Sequence, residues 1–284
     1  MVSERRDIDF ILEEVVTLPS LPRTVAHISS LVSDPDCSLS IVAKAISADP
    51  SIAMKTLRLV NAAFYGLRQK VSTVEHAVVL LGLKVIKNLV FTATVFDTLK
   101  TTVDTLLSHS IGCGVAMRVL VENGKKLSVD STEEAFIYGL LHDIGMIVFE
   151  QFMPEEFATV NATCIEQKVP RYEAERAIIG CDHAMIGARL AQKWKLPSTI
   201  VDVVAGHHDL AECEDEKLRP IAATLSVADY LCTSCGMPSY PGVTVRVDDA
   251  TWAASGLSSE DMPRILGAFF ESRPSIVELI QLAR

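Results

Sequence analysis

No stretch of this chain of 284 residues is uniformly apolar for the roughly 18–20 residues that a helix needs to cross a bilayer. A membrane partner is therefore not expected. The first residues, Met1 to Asp7, mix both charge signs and lead into an amphipathic segment, without the apolar centre of a signal peptide. A cytoplasmic location is expected. Positive charge is in short supply: 26 Lys and Arg stand against 36 Asp and Glu, for a net charge of −10. That balance argues against a chain built around attraction to nucleic-acid phosphates, so no nucleic-acid partner is expected. A disulfide framework is also missing. The seven cysteines are an odd number scattered through apolar surroundings, as at Cys113, Cys164 and Cys181, which suits reduced thiols in a core. Cys232-Thr-Ser-Cys235 is the one CxxC, with no second pair for zinc and no strand–helix context for redox work, and it reads as two incidental thiols. Strict apolar–polar alternation is rare outside Val243-Thr-Val-Arg-Val247, where a hairpin strand is expected. No internal repeat or low-complexity linker interrupts the chain.

What is present is a hydrophobic fraction of 49% with 22% charged residues, an ordinary globular balance that suits one large domain or two small ones. Apolar residues recur at three and four positions, so the fold class is read as all-α. Pro19, Pro22, Pro35 and Pro50 punctuate the first third, and the pairs Asp34-Pro35 and Asp49-Pro50 mark helix starts. The apolar run from Ile52 to Ala63 continues to Tyr65-Gly66, where glycine ends the segment. Thr73 to Leu81 forms one helix, Gly82 breaks it, and Lys84 to Leu99 forms another. Asn61 and His76 read as hydrogen-bonded core or cap residues rather than ligands. The polar stretch Lys100 to Asp104 sets a boundary between subdomains 1–100 and 101–284. Beyond a proline- and glycine-bearing loop after Tyr240, Ser259–Phe270 and Pro274–Leu282 are amphipathic segments that close the chain.

Five of the seven histidines, His109, His142, His183, His207 and His208, fall in the middle of the sequence, each in or beside a helical segment. Imidazole is the commonest protein ligand for divalent transition metals, and carboxylates join it when the ion is harder or two ions are bridged. Asp143 and Asp229 supply the carboxylates. His109 shares a helix face with Gly112, Cys113 and Ala116, and His183 with Ile186, Gly187 and Leu190. His142 and Asp143, placed about 100° apart around a helix, are flanked by Gly139 and Gly145, which permit close backbone approach. His207-His208 stands at the end of the run Ile200–Val204, where the helix dipole favours a charged or metal-bound imidazole. Asp229 lies in the otherwise apolar Ile221–Leu231 and needs a cation or several donors. Taken singly, each is a core residue with its polar group satisfied; taken together, they form a shared metal site. Spacing alone leaves both open.

The order His109, His142-Asp143, Asp229 resembles the H…HD…D signature of the HD superfamily. Leu140-Leu-His-Asp-Ile-Gly145 is similar to its central motif, and Ser108-His-Ser110 to its first ligand helix. Asp182-His-Ala-Met-Ile-Gly187, Trp194-Lys-Leu-Pro197 and Gly206-His-His208 extend the match towards the HDOD branch. So do Leu18-Pro-Ser-Leu-Pro22, Asp49-Pro-Ser-Ile-Ala53, Leu59-Val-Asn-Ala-Ala-Phe-Tyr-Gly66, Val71-Ser-Thr-Val-Glu-His-Ala77 and Leu80-Leu-Gly82 in the first third.

That resemblance implies an N-terminal helical bundle packed on an HD-like helical bundle, used as a bacterial signal-transduction module. It implies a metal set of His109, His142, Asp143, His183, His207, His208 and Asp229, holding one divalent ion or two, of iron, nickel, manganese or zinc. If the chain is a catalyst, Asp143 is its catalytic residue. Met146 stands where related active enzymes carry lysine, and the acidic run Asp209 to Glu216 lacks the Gly-Tyr-Pro motif of the cyclic-di-GMP phosphodiesterase relatives. Two readings follow: a regulatory module with a signalling protein partner, or a metal-dependent phosphohydrolase whose ligand is a nucleotide or another phosphate ester.

Overall fold

The structure, a computed structural model, describes residues 27–28, 31, 37–67, 69–99, 104–124 and 132–283. Pro19, Pro22 and the Asp34-Pro35 helix start lie outside them. The described residues are helical, with no strand among them, and they form two compact units.

One unit opens with α1 (Leu39–Ser47) and α2 (Pro50–Val60). Ser38 caps α1 by accepting from the Ile41 amide, and Asp49 caps α2 by accepting from Ser51 and Ile52, with Pro50 in the first turn where a missing N–H costs nothing. The α-helix stops at Val60, five residues short of the Tyr65-Gly66 end read from the sequence. Asn61 then clamps the chain: its Nδ2 donates to the carbonyls of Leu57 (2.7 Å) and Val71 (2.8 Å), and its Oδ1 accepts from the Val71 amide (2.8 Å). A single 3-10 turn, Ala63–Tyr65, leads to Gly66 at φ 60°. The next helix, α3 (Val74–Leu99), is two helices joined at Gly82, whose φ of 81° and ψ of 166° only glycine adopts without strain. His76 is exposed on it, neither core nor side-chain cap.

The other unit contains α4 (Asp104–Asn123), α5 (Thr132–Leu141), α6 (Gly145–Phe152), α7 (Pro154–Gln167), α8 (Arg171–Ile178), α9 (His183–Lys193), α10 (Ser198–Ala205), α11 (Arg219–Ser234), α12 (Asp249–Ala254) and α13 (Met262–Glu271). Two glycines set how closely its helices approach. A Cβ on Gly139 of α5 would lie 2.4 Å from the Cys113 carbonyl of α4. One on Gly145, at the start of α6, would lie 2.1 Å from the carbonyl of His183 on α9. Both distances are far inside van der Waals contact, so the crossings exist because these positions carry no side chain. The last helix, α14 (Arg273–Ala283), packs on the 3-10 turn, α2 and α3 and so belongs to the first unit.

Val74–Val95 and Thr132–Phe152 are long and apolar enough to cross a membrane by length and composition. The first is broken at Gly82, and the second is broken by the turn at 142–144 and is 83% buried inside the fold. The expected strand at Val243–Val247 is an irregular segment, and there is no strand among the described residues. Its residues Val243 to Arg246 instead help to line a cavity shared with Asp143, His183, His208 and Asp229.

Candidate metal centre

Five separate segments bring the seven residues singled out above into one place. His109 comes from the buried face of α4, His183 is the first residue of α9, Asp229 lies in the middle of α11, and His207 and His208 follow Gly206 at the C-terminal end of α10. His142 and Asp143 do not sit 100° apart on a regular helix. Helix α5 ends at Leu141, and tight turns closed by Ile144 N–H to Leu141 O (3.0 Å) and Met146 N–H to Asp143 O (2.9 Å) carry the chain into α6. That break in the helix lets both neighbours face the same point. His109, His142, Asp143, His183, His207 and Asp229 are all at most 4% exposed, and His208 is half-buried at the mouth.

The rings are oriented from behind. Backbone carbonyls hold Nδ1 of His109 (Met237 O, 2.6 Å), His142 (Gly139 O, 2.7 Å) and His207 (Val204 O, 2.6 Å), and the Glu175 carboxylate holds Nδ1 of His183 at 2.6 Å. A carbonyl or carboxylate only accepts, so each of these Nδ1 atoms carries a proton and a neutral ring presents Nε2 as a lone pair. Those lone pairs converge. His109 Nε2 is 3.2 Å from His142 Nε2, and His183 Nε2 is 2.9 Å from His208 Nε2. Asp143 reaches His109 (3.4 Å), His142 (3.3 Å) and His183 (3.1 Å), Asp229 reaches His109 (3.3 Å), and His207 Nε2 is buried with no hydrogen-bond partner among the described residues.

Acceptors facing acceptors at these distances repel unless a proton or a cation lies between them. Metal–ligand bonds of about 2.1 Å at octahedral to tetrahedral angles place neighbouring donors roughly 3.0–3.4 Å apart, and the observed spacings fall within or very close to that interval. The residues therefore fit a divalent cation. One group of donors is His109, Cys113, His142 and Asp229, a second is His183, His207 and His208, and Asp143 stands between them. Two ions sharing Asp143 would fit the same geometry.

The electrostatics divide the histidines. Burial pushes His142, His207 and His208 down, His207 to about 4, with neighbouring imidazoles adding to the effect. Burial would lower His109 and His183 as well, but the Cys232 thiol and Asp229 beside His109, and Glu175 and Asp143 beside His183, hold both well above the ordinary value. Burial likewise opposes ionisation of Asp143, yet His142, His183 and His109 around it keep its carboxyl well below the usual range. Protons on His109 and His183 are thus what a cation would replace.

Several functional residues carried no clear signal in the sequence. Cys113 Sγ lies 3.4 Å from His109 Nε2, although a buried cysteine in an apolar helix reads as packing. Glu175 orients His183 and is itself paired with Arg171 (3.5 Å), a buried guanidinium lodged against the rings of Phe157 and Tyr240. The four-residue spacing of Arg171 and Glu175 was the one hint. Tyr172 stacks on His208 at 4.6 Å. The acidic run is occupied locally: Asp209 and Asp215 cap short 3-10 turns, Asp209 also meets Arg176 at 3.6 Å, and Glu216 meets Arg219 at 3.0 Å. It builds the loop after the histidine pair rather than lining the cavity.

With this geometry in place, comparison with known proteins gives a consistent result. The HDOD domain model matches residues 18–210, and the chain belongs to the HDOD family. An uncharacterised protein of Treponema pallidum (strain Nichols) is 27% identical over 223 residues, which cover 77% of this chain and 43% of that one. The chain thus spans less than half the length of that relative. The crystal structure of an HDOD domain protein of unknown function from Geobacter sulfurreducens superposes with a TM-score of 0.77 at 27% identity, covering 97% of this chain and 95% of that one. A candidate signal transduction protein from Marinobacter aquaeolei VT8 has a TM-score of 0.76 at 21% identity, covering 96% and 61%, and shares the fold.

Proposed function

We propose that this HDOD protein is a bacterial regulatory module that holds a divalent metal centre, of one ion or two, and acts on a signalling protein partner. The observation that carries the reading is the set of inward Nε2 and carboxylate atoms spaced 2.9–3.4 Å apart, with their far sides tied to carbonyls and to Glu175. His109, His142 and Asp229 would hold one ion, His183, His207 and His208 the other, with Asp143 shared. Such ions supply charge that neutralises buried carboxylates and can activate a water. The signalling role is supported by the family and by the name of the Marinobacter neighbour.

A second reading, a phosphohydrolase acting on a nucleotide or another phosphate ester, is favoured by Asp143 touching both halves of the site and by Arg171 and Arg246 at the cavity. Two features weigh against it. Met146, an uncharged residue only 2% exposed, lines the cavity where a cation would assist a leaving group. The segment 243–246 lines the same cavity and takes up part of its wall.

Elemental analysis of the purified protein, followed by phosphatase and phosphodiesterase screens with Mn²⁺, Fe²⁺ or Ni²⁺, tests both. Bound metal with no turnover is expected, with a partner then recovered by pull-down. Turnover abolished by Asp143→Ala would replace the regulatory reading with the enzymatic one. Protein that takes up no metal under any reconstitution would end both.

A further inference from the structure

Cys113 lies four residues beyond His109, so the two side chains leave the same face of α4 one turn apart. The sulfur is fully buried, 3.4 Å from His109 Nε2, and the ligating atoms of Cys113, His109, His142 and Asp229 all lie within 4.8 Å of one another. It also contacts the Ala228 carbonyl at 3.9 Å and hydrogen-bonds the Cys232 side chain. We propose that Cys113, as the thiolate, is a further ligand of the cation held by His109, His142 and Asp229. That would make this half of the centre select a softer ion, such as Fe²⁺, Co²⁺ or Zn²⁺, over Mn²⁺ or Mg²⁺. The inference rests on the metal-centre reading above. In the binding step the S–H bond breaks, the S–metal bond forms, and the proton leaves to solvent.

Two observations support it. The position is fixed: α5 presses against the Cys113 carbonyl at Gly139, so α4 cannot turn the sulfur away, and Met237 O holds the His109 ring beside it. The charge balance also calls for another anion, because two divalent ions would bring four positive charges into a buried site whose carboxylate ligands are Asp143 and Asp229 alone. The neighbouring thiol, Cys232, hydrogen-bonds the Cys113 side chain and lies beside His109. Cys232 packs against Gly112, where a Cβ would lie 2.7 Å from its sulfur, and its sulfur contacts the main-chain carbonyls of His109 and Met237, each at 3.7 Å. Soft thiolate ligation shifts selectivity towards later first-row metals, whereas the remaining imidazole and carboxylate donors suit harder ions as well.

Titrating the reduced full chain with Co²⁺ while recording its absorption spectrum tests the assignment. Visible ligand-field bands should appear together with a near-ultraviolet thiolate charge-transfer band. Cys113→Ser should lose the charge-transfer band, keep the visible bands and the cobalt stoichiometry, and bind Co²⁺ on the order of 10–100-fold more weakly. Its Mn²⁺ affinity should change less. Cys232→Ser should keep both sets of bands. Visible bands without charge transfer in the wild type would overturn the Cys113 assignment and leave the metal centre standing, as would a charge-transfer band lost in Cys232→Ser but kept in Cys113→Ser. Absence of Co²⁺ binding altogether would remove the metal centre, and this ligand with it. Should Cys113→Ser fail to fold, alkylation of the wild type followed by peptide mapping gives an independent measure. Protection of Cys113 by Co²⁺ is expected, and equal labelling with and without the ion would overturn the assignment.

Discussion

Gly145→Ala isolates the link between helix packing and the metal centre. The added methyl would sit 2.1 Å from the His183 carbonyl and 2.8 Å from the Gly187 amide, both main-chain atoms that no rotamer change can move. To reach even a compressed contact near 3.0 Å, α6 and α9 must separate by about 0.9 Å. His183 lies on α9 and Asp143 lies two residues before α6, so much of that movement opens their 3.1 Å contact towards 4 Å. At that spacing two donors no longer span one edge of a coordination shell built on bonds of about 2.1 Å. Overpacking of this kind costs about 1–3 kcal/mol of stability, and loss of ligand geometry costs roughly 10–100-fold in metal affinity. Urea unfolding in the presence of a chelator measures the first, and calorimetric titration with Zn²⁺ or Co²⁺ the second. Gly267→Ala is the control: it lies within α13 with nothing within 4 Å of its added Cβ, so helix propensity alone should make it neutral or stabilising by about 0.5–1 kcal/mol. A Gly145→Ala protein with wild-type stability and unchanged metal affinity would refute both the crossing geometry and its coupling to the site.

Asn61→Ala should destabilise the unit containing α1 to α3 by about 1–3 kcal/mol, because it strips the Val71 amide and carbonyl of their partner; thermal melts would show it, and an unchanged melting temperature would contradict the clamp. Metal affinity should fall as the solution is acidified, by up to about tenfold per pH unit for each proton displaced, since His109 and His183 are raised and must each give up a proton to a cation. Calorimetry in buffers of different ionisation enthalpy counts those protons, and a pH-independent affinity would show that the rings are already deprotonated. His207 carries the opposite sign in the chelated protein: held down to about 4 from 6.5, it contributes stability that is present above 6.5 and lost as pH falls towards 4, up to about 3 kcal/mol, readable from denaturation midpoints across that range.

Much of this architecture was legible because its signals are local. The cap at Asp49-Pro50 and the break at Gly82 depend on residues adjacent in sequence, and both stand where the pattern puts them. The seven candidate ligands could be named because imidazoles and carboxylates are conspicuous in apolar segments. What escaped depends on distant parts of the chain meeting. Cys113 becomes a candidate ligand only once α5 and α11 close around α4, and Glu175 acquires its role only once His183 is placed beside it across a turn. The misread strand at Val243–Val247 has a related cause. Period-two alternation reports a segment with one covered side, and here residues 243–246 line a cavity rather than pair with a neighbouring strand. His142 and Asp143 were placed on a helix because the apolar periodicity runs from α5 into α6 without a gap, while the turn that separates the two helices carries no proline to announce it.

The distribution of the ligands bears on why such a site would serve regulation. In an enzyme the essential property of a metal centre is an open position for substrate; in a regulator it is the set of elements that the ion ties together. Here the donors arrive from α4, the turn between α5 and α6, the start of α9, the end of α10 and the middle of α11. Ions held by these donors would together tie the five segments into a cross-link within one unit, and each would stabilise the packed arrangement by the mass-action term, about 4 kcal/mol when free metal exceeds its dissociation constant a thousandfold. The glycine crossings make that cross-link stiff, since α5 on α4 and α6 on α9 are already in backbone contact and have no slack through which a change at the ligands could be absorbed. Gain or loss of an ion would therefore be transmitted to helix positions rather than dissipated in side chains. A partner that binds those helices would sense metal occupancy without any bond being made or broken in a substrate.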